Sequence, residues 1–373
     1  MKFIKGLKKI KGIKAVLLLP AGIVLFYTAS FTPGFIEKIY SEKVYRLIGQ
    51  GLSLITGLVP FSVAELFVAI FSIYILYRLI FLIYSLIIRG QHRKQVLISF
   101  LRDFFVVVSV LYFVFVLIWG LNYQRHPFSR IADFDTRPVS VKELGDVCEE
   151  LIKNANWSRT QVTEDKEGVM RLKEGKAYAL RNAYKGYNEA AKLYTALGGK
   201  FGKPKGVFLS GIMSSFGICG VYFPFTGEAN VNMDMPDSLV PFNICHEMAH
   251  QRGFAREDEA NFIGYVASAS SPDVDFKYSA YLNALVYAMN ALYENDAARF
   301  GQLRNEYGSG VIRDLNARKV YWQSYEGTLN DVSSKVNNAY LKANMQKEGI
   351  NSYGRMVDLL IYEYRMKKAK QEP

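Results

Sequence analysis

Cysteine and histidine are scarce in this chain. Three cysteines, Cys148, Cys219 and Cys245, are spread over 373 residues. That excludes a disulfide framework and leaves buried free thiols as the expectation, with a single bridge open only if the domain lies outside the cell. Of four histidines, two stand in one short motif. Acid is missing from residues 1–14, which carry Lys2, Lys5, Lys8, Lys9, Lys11 and Lys14, and charge of either sign is missing from residues 15–31. A basic start before an apolar run has the form of a secretory signal. No small-x-small cleavage site follows, because Phe26, Tyr27, Phe31 and Pro33 crowd the exit. An uncleaved transmembrane helix is therefore expected. The net charge of +12 does not point to nucleic acid, since much of it lies in short tails and loops beside apolar segments. There it reads as a topology signal.

What is abundant is apolar surface: half the residues are hydrophobic. Residues 61–88 form a second apolar run, with Glu65 near its start and Arg78 inside. Residues 104–121 form a third, with Arg102 and Asp103 at its entrance and Trp119 and Tyr123 at its exit. About 20 apolar residues suffice to span a bilayer. Arg78 is expected to snorkel or to face a partner helix. The expectation is an α-helical anchor over residues 1–121 with about three transmembrane helices, and the lipid bilayer as its partner. The lysine tail and the basic loop Arg89, His92, Arg93 and Lys94 place the N-terminus in the cytoplasm. Residues 34–60 and everything after 122 then lie outside. The 34–60 stretch reads equally as an amphipathic surface helix or as an ordinary ordered loop helix.

Residues 122–140 read as a linker, marked by Arg125-His126-Pro127 and Pro138, with His126 as a surface histidine. Residues 141–373 read as one extracytoplasmic domain, mostly helical with a small sheet. Ser140-x-x-Glu143 is a capping box opening a helix with an apolar stripe from Leu144 to Ile152. Residues 155–175 are polar and loop-like, and Ala177–Leu197 is helical. Short strands are expected at Val207–Leu209, Val221–Phe223 and Ala229–Asn232. Helices follow near 277–298, 309–325, 328–346 and 353–370.

The domain is organised around Cys245-His246-Glu247-Met248-Ala249-His250-Gln251-Arg252-Gly253, followed by Arg256-Glu257-Asp258-Glu259-Ala260-Asn261. Four residues of helix place His246 and His250 on one face, one turn apart. Two imidazoles so placed can share a zinc ion, and Glu247 beside them can act on a water. Cys245 points about 100° away and is no ligand. A catalytic zinc takes a third protein ligand. Glu257 is the first candidate and Glu259 the alternative, with Asn261 on the face of Glu257 to orient an imidazole. Arg252 and Arg256 either pair with the acids left over or are solvated. A strand edge just upstream can hold an extended peptide, with Asn230, Asn232 or Glu228 at the cleft. Tyr353 and Arg355 are candidate donors to an oxyanion.

His-Glu-x-x-His followed by Glu-x-x-Ala-Asn resembles the gluzincin group of zinc peptidases. The resemblance implies zinc on His246, His250 and Glu257, with Glu247 as general base. The gap between the two motifs is shorter than gluzincins use. Its glycine resembles the metzincin turn, but Arg256 stands where a metzincin has its third ligand. Gly220-Val221-Tyr222-Phe223-Pro224-Phe225-Thr226-Gly227-Glu228-Ala229-Asn230-Val231-Asn232, the zinc motif and Ser352-Tyr353-Gly354-Arg355, behind a membrane anchor, resemble the bacterial domain-of-unknown-function family 3810. That resemblance implies a membrane-bound metallopeptidase with a zincin-like α+β domain.

The expectation is thus a membrane-anchored peptidase holding one zinc ion per chain. Two alternatives remain open at this point. One is a metal-stabilised membrane scaffold or sensor without catalysis, and the other a zinc hydrolase of a non-peptide bond.

Overall fold

The computed structural model describes residues 13–88, 92–346 and 355–370. It is mostly helical, and the chain divides into two compact units. The first comprises residues 1–48 and 63–125, the second residues 49–62 and 126–373.

The first unit is built from apolar helices. Leu18–Ala29 (α1) precedes a π-helical stretch, Ile36–Tyr45, which runs into Arg46–Thr56 (α2). Val63–Ile88 (α3) and Arg93–Ile118 (α4) are each long and apolar enough to cross a membrane. A third crossing is available only if the bent pair Lys14–Ala29 and Pro33–Thr56 counts as one broken span. Helix α4 begins well before residue 104, so Arg102 and Asp103 lie inside it rather than at its entrance. Asp103 accepts from Arg78 at 2.8 Å, so Arg78 faces the neighbouring helix. Glu37 and Arg125 form a second ion pair, buried on both sides.

The second unit begins with its own piece of the early chain. Ser53 Oγ accepts from Gly202 N at 3.0 Å, Thr56 Oγ1 donates to Thr226 O at 3.1 Å, and Ser62 Oγ donates to Asn230 Oδ1 at 2.6 Å. The later half of the 34–60 stretch is therefore an integral part of this unit. Val141–Arg159 (α5) carries the expected capping box, with Ser140 and Glu143 exchanging hydrogen bonds. The loop expected over 155–175 is shorter than foreseen. Helix α5 continues to Arg159, and Thr163–Glu164 (β1) pairs with Met170–Arg171 (β2) in a small hairpin. The order comes from a distant residue: Asp314 accepts from Arg159 Nε at 2.6 Å and from Met170 N at 2.8 Å. The next helical stretch is broken at Ala183 into Gly175–Asn182 (α6) and Tyr184–Leu193 (α7).

Three strands follow. Lys205–Val207 (β3) pairs parallel with Glu228–Asn232 (β5), which pairs antiparallel with Gly220–Phe223 (β4). The order β3-β5-β4 leaves β4 at an edge. Strand β3 ends sooner than its apolar run suggests, because Phe208 turns outward and Ser210–Ser215 coils into a short helix. Two helices then pack face to face, Val240–Gln251 (α8) and Glu257–Ala269 (α9), against Val274–Asn295 (α10). Ala297–Arg304 (α11), Ser309–Gln323 (α12), Thr328–Ala343 (α13) and Met356–Ala369 (α14) complete the unit. The core runs through α5, α8, α9, α10 and α14. All three cysteines are free.

Candidate metal site

Every residue of α8 is buried, so its polar side chains need partners inside the protein. Pro241 stands in its first turn, where no backbone N–H is needed. It ends at Gly253, whose φ of +85° only glycine adopts cheaply. Gly253 N donates to His250 O at 2.8 Å and Phe254 N to Ala249 O at 3.2 Å, a Schellman closure. That closure delivers the Phe254 carbonyl to His250, whose Nδ1 lies 2.7 Å away. A carbonyl only accepts, so Nδ1 carries a proton, and Nε2 is the nitrogen whose lone pair a metal ion would use.

The three candidate ligands come together. His246 Nε2 and His250 Nε2 are 3.1 Å apart, and Glu257 Oε2 lies 3.3 Å from the first and 3.5 Å from the second. Donor atoms about 2.0–2.1 Å from a tetrahedral ion lie roughly 3.4 Å from one another, so this triangle fits one metal ion and two imidazoles with a carboxylate suit zinc. The three residues are a group that could hold a metal ion. Close approach of α9 makes this possible. A Cβ on Gly264 would stand 3.1 Å from the His246 Cα, tighter than ordinary contact. Burial opposes charge on both partners, yet their mutual attraction prevails. Without a metal ion, His250 is raised to about 9 and Glu257 is held below the usual carboxylate range, and an ion bound at Nε2 would take the place of that proton.

Glu247 points from α8 toward the edge strand. Its carboxylate accepts from the Tyr222 backbone N–H of β4, and burial raises its pKa. A Cβ on Gly220 would overlap that carboxylate, so the glycine makes the space for it. Oε2 of Glu247 is buried and has no hydrogen-bond partner among the described residues.

Glu259 is not with the triad. Its Oε1 accepts from Phe128 N and from Arg256 Nη1, each at 2.8 Å, so it ties the start of the second unit to α9. Arg252 is buried, donating to Leu197 O at 2.9 Å and Met248 O at 3.0 Å with its guanidinium 3.7 Å over the Tyr187 ring. Asn261 is buried and hydrogen-bonds Tyr287. Asp258 sits 3.5 Å from Arg355 Nη2, and burial lifts it to about 6. Arg355 is thus placed at Asp258, at the start of α14. Tyr353 lies outside the described residues.

The β5 asparagines do not line a cleft. Asn230 and Asn232 are fully buried. Asn230 accepts from Ser62 and donates to Glu228 O at 3.1 Å. Asn232 donates to Ile218 O at 2.9 Å and accepts from Asp234 N at 2.9 Å. Both complete the hydrogen bonding of loops around the sheet, and Glu228 is buried beside them.

Sequence reasoning missed three side chains near the site: Cys219, Tyr287 and Arg318. Cys219 precedes Gly220, whose missing Cβ makes room for Glu247; Tyr287 hydrogen-bonds Asn261, one turn along α9 from Glu257; and Arg318 Nη1 donates to Asn283 Oδ1 at 3.0 Å, one turn from Tyr287 on α10. All three are partly solvent-accessible. Tyr287 and Arg318 come from α10 and α12, where nothing local marks them.

Helices able to cross a membrane, in one chain with a buried His-His-Glu group, define a membrane-type protein with a candidate metal site. The chain belongs to the family described as protein of unknown function DUF3810, whose model matches residues 40–361. No curated protein and no solved structure matches it.

Proposed function

We propose that the second unit is a zinc-dependent peptidase domain of zincin-like architecture, carried on a membrane by the first unit. The observation behind this is the pairing of a tetrahedral-sized His246, His250 and Glu257 triangle with a buried Glu247 whose Oε2 has no other partner among the described residues. Zinc bound there would supply a Lewis acid and a lowered water pKa. His250 would offer its Nε2 to the ion, because Phe254 O holds its other nitrogen. Glu257 contributes the one negative charge. Glu247 takes a proton from the attacking water and delivers it to the leaving amine, and its raised pKa suits both transfers. The edge strand β4 reaches Glu247 through Tyr222 and can align an extended chain by backbone hydrogen bonds. That favours a peptide over a compact substrate.

The charge pattern supports an extracytoplasmic domain. The lysine-rich start and the basic residues at the α3–α4 turn favour the cytoplasm for those ends. The segment 49–62 belongs to the second unit, so it shares a side of the membrane with residues 126–373.

The test is zinc content and peptide hydrolysis of the full chain in detergent. Wild type and Glu247→Gln should each bind about one zinc, and His246→Ala should not. Glu247→Gln should lose hydrolysis by at least about 10²-fold. A zinc-loaded chain in which Glu247→Gln cleaves peptides as well as wild type would make the site structural and end the peptidase proposal.

A further inference from the structure

The sheet beside the candidate site is tied to the chain just before α3. Thr56 Oγ1 donates to Thr226 O in the β4–β5 turn at 3.1 Å, and Lys205 Nζ at the start of β3 donates to Val59 O. Ser62 Oγ donates to Asn230 Oδ1 on β5 at 2.6 Å. Asn230 pairs with Val221 of β4, and the next residue, Tyr222, donates its backbone N–H to Glu247. Every residue in this series belongs to the second unit. Val63, which follows Ser62, opens α3, one of the helices able to cross a membrane.

Those links set a length. A side-chain hydrogen bond, a strand spacing of about 5 Å and a backbone hydrogen bond keep the Glu247 carboxylate within roughly 20 Å of Ser62. Glu65 is the last charge before the uncharged run Leu66–Tyr77. A spanning α3 therefore enters hydrocarbon near Leu66, about 6 Å past Ser62. The headgroup layer on each face is itself about 5–7 Å deep, so Ser62 falls at its outer surface. Leu58 and Phe61, exposed by 84% and 53%, give the same stretch an apolar surface suited to that layer. The edge strand β4, with Val221 46% exposed, thus lies a short reach from the bilayer. An extended chain advances about 3.3 Å per residue, so about eight residues cover the distance from hydrocarbon to Glu247.

We propose that the substrate is itself tethered to the membrane, on the side where α3 begins, and that the bond cleaved lies within about eight residues of the point where its chain leaves the hydrocarbon. This substrate class rests on the peptidase proposal. Tethering holds the chain at the height of β4 and supplies an effective concentration that pairing with one edge strand does not.

Two measurements on the full zinc-supplied chain in phosphatidylcholine vesicles test this. The first needs no catalysis. In a cysteine-free background, a donor dye on Val221→Cys transfers energy to acceptor-labelled lipid headgroups. It should lie within about 30 Å of the headgroup plane, dye linker included, and a greater distance overturns the inference. The second maps cleavage by mass spectrometry in a degenerate peptide library about 20 residues long. The library is offered free, joined through either end to a phospholipid, and joined through a stiff spacer of about ten prolines, about 30 Å long. The directly tethered library should be cut within about eight residues of the lipid, at least about tenfold faster than the free one, and the spacer should remove that advantage. Cuts spread evenly along the tethered library, equal rates for free and tethered peptide, or an advantage that survives the spacer each end this inference alone. Cleavage of no library by zinc-loaded wild type, or equal cleavage by Glu247→Gln, ends the peptidase proposal and this substrate class with it.

Discussion

Position 220 decides where the Glu247 carboxylate can sit. A methyl group there overlaps it, while the His246, His250 and Glu257 triangle lies on other elements. Gly220→Ala should therefore leave zinc content intact and lower the hydrolytic rate by about 10²-fold, the usual cost of a base displaced by an ångström. Steady-state kinetics beside metal analysis checks this, and loss of zinc would contradict the separation. At this scale the motif was legible because helical spacing alone brings His246 and His250 together, and Glu257 opens the next helix. Tyr287 was not legible: it reaches Asn261, one turn from Glu257, from α10 with no periodic mark. The asparagines of β5 misled for a physical reason. A polar residue in a strand can face a cleft or satisfy buried carbonyls, and only the fold shows that Ile218 O and Glu228 O need donors.

Helix ends carry the next layer of specification. Gly253 closes α8 and positions Phe254 O on His250. Gly253→Ala forces a Cβ into the left-handed region and should cost about 1–2 kcal/mol, read as a lower Tm with weakened zinc retention. The start of α5 makes a pH-dependent prediction. Arg365 donates to both oxygens of Glu143 at 2.6 and 2.9 Å and holds its pKa below the usual carboxylate range. A lowered folded pKa stabilises above the unfolded value of about 4.3 and loses that contribution as pH falls toward the folded value. Glu143→Gln should therefore be less stable than wild type by about 1–3 kcal/mol at pH 7, with the gap shrinking by pH 3. A gap in Tm that is constant with pH would exclude the charge as its cause. The capping box and the glycine stop were visible in the sequence because both act within a few residues. The β1–β2 hairpin was not, since Asp314 organises it from far along the chain.

At the scale of the molecule, the split of residues 49–62 from their sequence neighbours is the feature least visible beforehand. Helical periodicity showed a helix there, but not that Ser53, Thr56 and Ser62 would bond to Gly202, Thr226 and Asn230. It carries a topological expectation. In a cysteine-free background, Leu58→Cys and Trp157→Cys, both exposed positions, should react with a membrane-impermeant maleimide from the same side. Labelling from opposite sides would contradict the shared unit.

The same segment sets a timetable for folding. Residues 49–62 leave the ribosome first, the partners of Ser53, Thr56 and Ser62 more than a hundred residues later, with the whole α3–α4 hairpin in between. The sheet beside the candidate metal site can close only after that hairpin has been made, through contacts whose loop-closure cost falls late in synthesis. A fragment cut at His126 lacks Ser62 and Ser53, leaving the Asn230 amide oxygen and the Gly202 amide without their partners. The second unit therefore cannot be released whole by a single cut ahead of residue 126.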